Sequence, residues 1–353
     1  MKENIFETCS LSYDTKLGII TIWTKEKQKF VFDINDNTQV KEIAEKIKNA
    51  ENLVSALRYA QYLAQNKNKN LFANKHVQNQ VELTKKVYDY YNNKKEDRNL
   101  AQSKKDGYVF HHFGFGPTQI DIKTASDEDI TLEVQRQEHL VADRLIDALN
   151  FGNENYNTLD IGCGRGGNMF KVADKVYNTK LEGINIADYH IDFCKKEIKR
   201  RDMTERVGVT LGDFMSMPYQ NNEFSHAYCS EVTQYAHSLK NMFNEVSRVL
   251  KKDGIFVILT WCYNEKSDTK TIKDLVEPIN DHYASTMHSD DTYKKALKEN
   301  NLELITEEDR TDDLIAYWEL RNNWSMKSGI EEYFIKGHKN RDLLYKIFVA
   351  KKL

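Results

Sequence analysis

From Asn157 to Gly167 the chain reads Asn-Thr-Leu-Asp-Ile-Gly-Cys-Gly-Arg-Gly-Gly, an apolar stretch followed by four glycines within six residues. Gly162 and Gly164 allow the backbone to turn sharply after a strand and approach a ligand where a Cβ would clash. Such a ligand lies at the carboxyl end of the strand, beside a helix N-terminus. Asp160, two residues ahead of the first glycine, can orient the turn's amides or meet a positive group on the ligand. Gly162-x-Gly164-x-x-Gly167 also satisfies the dinucleotide pattern. That use wants an acidic residue ending the next strand, whereas Leu181-Glu-Gly-Ile-Asn-Ile186 offers Asn185. Further on, Gly212-Asp213-Phe214 places a carboxylate beside an aromatic wall, a pairing suited to an adenine amino group. A tight βα turn that holds nothing is the alternative.

The elements that must position these residues alternate. Strand patterns fall at 158–161, 180–186, 207–211, 226–230, 254–261, 302–309 and 344–351. Helical patterns fall between them at 166–176, 187–201, 238–250 and 311–336, and another precedes them at 127–149. Strands alternating with helices mean βαβ units and a parallel sheet. Residues 1–75 read as a small α+β extension of their own, with strands at 9–13, 18–24 and 29–34 and a helix from 40 to 64. A helix at 77–93 opens a helical cap over 76–145, and the α/β core spans 146–353 with an insertion at about 264–300.

The 353 residues carry a net charge of −3, with 40% hydrophobic and 30% charged residues, which excludes a disordered chain or a membrane bundle. No apolar run approaches 18 residues, and near-neutral charge gives no reason to expect nucleic acid as partner. Five cysteines without a CxxC pair do not read as a disulfide framework or a zinc site, so a reducing cytoplasm is expected.

Leu159-Asp-Ile-Gly-Cys-Gly-Arg-Gly-Gly167 resembles the first motif of class I S-adenosylmethionine-dependent methyltransferases. Gly212-Asp-Phe-Met-Ser-Met-Pro-Tyr219 is similar to their adenine-contact segment, and Glu245-Val-Ser-Arg-Val-Leu-Lys-Lys-Asp-Gly254 to the helix and turn before their fifth strand. The fold this implies is a Rossmann-like, mostly parallel sheet with an antiparallel last strand. Ser230-Glu231 resembles two subfamilies that methylate carbon–carbon double bonds, the sterol C-24 methyltransferases and the geranyl diphosphate C-methyltransferases. Arg136-Gln-Glu-His139 is similar to a helix of the sterol enzymes. His111-His112-Phe113-Gly-Phe-Gly116, Thr260-Trp-Cys-Tyr-Asn264, Met287-His-Ser289, Tyr317-Trp-Glu-Leu-Arg-Asn322 and Ser328-Gly-Ile-Glu-Glu332 favour the prenyl diphosphate branch.

The resemblance implies S-adenosylmethionine contacts at Gln137, Asp160, Gly162, Gly164, Arg165, Gly166, Asn185, Asp213, Phe214 and Ser230. An alkene has no proton for a base to remove before attack, so the site must press it against the methyl donor and exclude water. Methylation at C2 leaves a tertiary cation at C3, which aromatic faces stabilise by roughly 0.5–2 kcal/mol each. A carboxylate must then take a proton. Glu231 is the expected base, with Tyr235 and Trp261 beside it. Substrate contacts are expected at Asn92, Tyr108, Phe110, His111, His112, Tyr263, His288, Trp318 and Arg321, the last as a bidentate diphosphate clamp. Mg2+ is expected on the diphosphate and water, with no direct protein ligand. Geranyl diphosphate is the first acceptor expected, followed by isopentenyl or farnesyl diphosphate, then a sterol or other alkene. A homo-oligomer and a downstream terpene synthase are the expected protein partners, and a non-catalytic cofactor-binding module is the reading from another class.

Overall fold

The computed structural model describes four strands within residues 3–33 and residues 99–353, apart from 101–102 and 104–105. Strands β1 (Glu3–Phe6), β2 (Cys9–Asp14), β3 (Ile19–Thr24) and β4 (Lys29–Asp33) form an antiparallel meander in chain order. The first was not legible as a strand; the other three match expectation. The helices expected at 40–64 and 77–93, and Asn92 with them, lie outside the described residues.

The second sheet holds β5 (Tyr156–Ile161), β6 (Thr179–Asn185), β7 (Val207–Leu211), β8 (Phe224–Ser230), β9 (Leu250–Tyr263), β10 (Leu302–Asp309) and β11 (Leu343–Lys352). Their spatial order is β10-β11-β9-β8-β5-β6-β7, with β11 antiparallel to both neighbours and the other pairings parallel. Both faces are covered, so strand residues alternate between two cores. Phe256 and Ile258 of β9 enter one core, with α4 (Leu239–Val249) and α6 (Asp290–Glu299) packed on it. Val257, Leu259 and Trp261 enter the other, with α1 (Asp127–Leu149), α2 (Gly167–Lys175), α3 (Asp188–Arg200), α7 (Thr311–Asn322) and α8 (Glu331–Lys339).

Helix starts follow capping chemistry. Ser126 and Asp129 form a reciprocal box at α1, and Ser289 caps α6. Asp268 caps α5 (Thr269–Tyr283) by accepting two backbone N–H groups. The single helix expected at 311–336 is two. The chain leaves α7 at Asn323 and passes through Gly329 at φ +88°, a conformation that glycine adopts without strain. Among the described residues no helix is long and apolar enough to cross a membrane.

Candidate active site

The order of the sheet reverses between β5 and β8, and ligands in open α/β sheets bind at such a point, beyond the carboxyl ends of the strands. Here a cleft is lined by Gly162, Gly164, Asn185, Phe214, Ser230 and Tyr235, among others. Gly162 and Gly164 take φ of +74° and +53°. A Cβ on Gly162 would stand 2.5 Å from the Val232 side chain, and one on Gly164 2.9 Å from the His111 ring. Both positions therefore require glycine. The turn is fixed from below, where the Gly162 and Cys163 N–H groups donate to the Ile184 carbonyl at 2.8 and 3.1 Å.

Glu231 lies where the cleft meets a packed aromatic cluster. It follows β8 at φ +55°, which costs a residue bearing a Cβ roughly 1–2 kcal/mol. Its N–H donates to the Leu259 carbonyl at 2.8 Å. One carboxyl oxygen accepts the Phe113 N–H at 2.8 Å and the Tyr345 O–H at 3.0 Å. Burial pushes its pKa up to about 8; the hydrogen bonds from Phe113, Tyr345 and Trp261 oppose that rise, while the nearby Glu138 charge adds to it.

The ring cluster is drawn from four parts of the chain. Phe113 meets Trp318 edge-on at 4.5 Å between centroids, Trp318 stacks on Phe334 at 4.1 Å, and Trp261 stands 6.0 Å from Phe113. Such rings offer negative faces to a cation.

Several expected residues make contacts within the chain. Asp160 lies under the turn, accepting the Tyr228 O–H at 2.9 Å, and burial raises its pKa to about 7. Asp213 turns one oxygen to the Met215 N–H at 2.8 Å, while its neighbour Phe214 lines the cleft. Arg165 lays its guanidinium over Tyr189 of α3 at 5.1 Å, and Gly166 serves as the α2 N-cap. Gln137 bonds Thr118 and Glu133. Phe110 packs between Tyr108 and His139, and Tyr108 donates its O–H to Asp174. The Tyr263 N–H binds the His288 carbonyl at 3.1 Å. Arg321 is buried and pairs with Glu331 at 3.3 Å, a carboxylate that also accepts from Ser328 and Gly329.

The adjacent histidines separate as their positions require. His111 reaches the cleft. His112 is buried between the Phe113 carbonyl and Asn168. Burial drives His112, His226, His288 and His338 from an ordinary 6.5 down to about 4 each. A depressed folded-state pKa contributes stability that is complete above about 6.5 and is lost as pH falls through about 4. Asp160, Glu182 and Glu231, all raised, act in the opposite sense over that window. The four histidines outnumber the three carboxyls, so the melting temperature should drop as pH is lowered from 6.5 to 4.5. A flat calorimetric profile would refute this balance.

Sequence reasoning missed His190, whose ring stands 4.8 Å from His111 in the cleft. It also missed Phe113 and Tyr345 as partners of Glu231, and Glu331 as partner of Arg321. None of these pairs has a local sequence signature.

Glycine turn, switch-point cleft and antiparallel last strand define the class. Residues 152–328 match the family model described as a methyltransferase domain, half of the chain, and the chain belongs to that family. It is a relative of the geranyl diphosphate 2-C-methyltransferase of Streptomyces coelicolor, to which it is 29% identical over 268 residues, 74% of this chain and 90% of that protein. A sterol 24-C-methyltransferase of Debaryomyces hansenii is 26% identical over 258 residues, 71% of this chain and 65% of that protein. The solved structure of the geranyl diphosphate C-methyltransferase from Streptomyces coelicolor A3(2), with Mg2+, geranyl-S-thiolodiphosphate and S-adenosyl-L-homocysteine, superposes with a TM-score of 0.72 at 27% identity, over 77% of this chain and 98% of that one.

Proposed function

We propose that this chain methylates the C2=C3 double bond of a prenyl diphosphate, geranyl diphosphate first, with S-adenosylmethionine as donor and Mg2+ on the diphosphate. The donor fits the residues present. Gly162 and Gly164 bring the backbone of a positive-φ turn to the cleft wall, and the buried Ser230 Oγ faces the cleft without a hydrogen-bond partner among the described residues. Asn185 and Phe214 close the cleft's sides. When bound, this cofactor supplies an electrophilic methyl group.

The chain's own residues do the rest. The rings of Phe113 and Trp261 beside Glu231 exclude water and offer aromatic surface to the positive carbon that an alkene acquires on gaining a methyl. Glu231 takes the proton whose loss restores the double bond. The observation that carries this reading is a buried carboxyl, held by three donors, at the junction of cleft and ring cluster. Residues 76–145 form the cap in this reading, and the buried free thiols of Cys163, Cys194, Cys229 and Cys262 suit a reducing cytoplasm.

The test is incubation with labelled S-adenosylmethionine, Mg2+ and C5–C15 prenyl diphosphates, with products identified by mass. Methylated geranyl diphosphate is expected; labelling of a sterol alone would move the acceptor to the other subfamily. EDTA should reduce turnover to background, because the diphosphate's charge is otherwise uncompensated. Full activity in EDTA would exclude a metal-bridged head group. Self-association and association with a terpene synthase that consumes the product belong to the same reading, and light scattering and co-elution test them.

A further inference from the structure

Most of the cleft's lining comes from strand ends and the segments that follow them. His111 is different. It belongs to residues 106–116, which cross over the glycine turn as a strap. The His111 ring occupies the space above Gly164, and the Val109 carbonyl lies 2.5 Å from where a Cβ of Gly167 would stand. Two residues beyond His111, the Phe113 N–H reaches Glu231 at 2.8 Å. One short segment thus covers the turn and holds the carboxyl.

The strap turns at a glycine at each end. Gly107 and Gly116 take φ of +77° and +107°, where a side chain would be strained. Between them Val109, Phe110, Phe113 and Phe115 are buried. Polar contacts fasten the near end. Asp106 takes His139 Nε2 at 2.7 Å on one oxygen and Gln135 Nε2 at 2.7 Å on the other, both from α1. Arg201, after α3, donates to the Gly107 carbonyl at 2.8 Å. At the far end the Gly116 N–H donates to the Asp313 carbonyl at 3.0 Å.

We propose that this strap is the gate of the cofactor cleft. It lifts at Gly107 and Gly116 to admit the cofactor onto the turn, and its closure returns the Phe113 N–H to Glu231. With the strap closed the carboxyl is held, so the donor enters before the strap closes. This rests on the functional reading above. The Asp106 contacts to His139 and Gln135 are the latch, and they lie outside the cleft lining.

The experiment uses the full chain with S-adenosyl-L-homocysteine as probe. In Asp106→Asn and His139→Gln, stopped-flow release of the probe should be about tenfold faster, the equivalent of one charge-assisted hydrogen bond. Amide exchange across 107–116 should slow on probe binding in the wild type and stay fast in the variants, with β5 and β9 unchanged. Probe binding without any change in strap exchange, or wild-type release from both variants, overturns the gate alone. No calorimetric binding of the probe to the wild type overturns the cofactor reading, and the gate with it.

Discussion

Glu231→Gln should leave S-adenosyl-L-homocysteine binding within a fewfold of wild type and lower turnover by roughly 10²–10⁴-fold, the usual contribution of a general base. The amide retains an oxygen for the Phe113 and Tyr345 donors, so the ring cluster keeps its geometry. What it lacks is a basic lone pair at the buried carboxyl between cleft and rings. With a free-enzyme pKa near 8, the base form is the minor species at neutral pH. The acceptor's kcat/KM should therefore rise about tenfold per pH unit below 8 and level off above it. A cation bound alongside favours the ionised carboxylate, so kcat should inflect at a lower pH than kcat/KM. Near-normal turnover by the variant, with cofactor bound, removes Glu231 from the base role.

Glu331→Ala should destabilise the fold by about 3–5 kcal/mol, because it strands the buried Arg321 guanidinium without its carboxylate. It also leaves the Ser328 and Gly329 N–H groups without acceptors. Chemical denaturation checks the size. The double variant Arg321→Met with Glu331→Gln removes both charges and should recover much of the loss. That variant also decides whether Arg321 clamps a diphosphate. If the pair is a strut between α7 and the start of α8, the stable double variant keeps the wild-type acceptor KM; a KM raised by orders of magnitude would restore the clamp.

The sheet was legible because each large-sheet strand is a dense apolar or alternating run bounded by turn residues, and burial on both faces fixes its register. The glycine turn was legible for a similar reason: its chemistry lies within eleven consecutive residues. Glu231 was found by its place after β8, and the resemblance supplied its role. The break between α7 and α8 was missed because Asn323–Gly329 contains no proline and the flanking apolar spacing stays helical. Arg321 reads as a free clamp in one dimension because Glu331 reaches it only after that break. Phe113 was missed as a Glu231 partner because its main-chain N–H, rather than its ring, makes the contact. Cys163 and Cys194, scattered in sequence, both donate to the Gly164 carbonyl, at 3.7 and 3.4 Å.

Tyr345 reaches Glu231 from β11, the strand inserted between β9 and β10. During synthesis β11 emerges after every other strand of its sheet, and β10 joins the sheet only through it. A nascent chain with β5 to β9 paired would carry the glycine turn but a Glu231 still lacking its Tyr345 donor, so the carboxyl is completed only when the last strand docks.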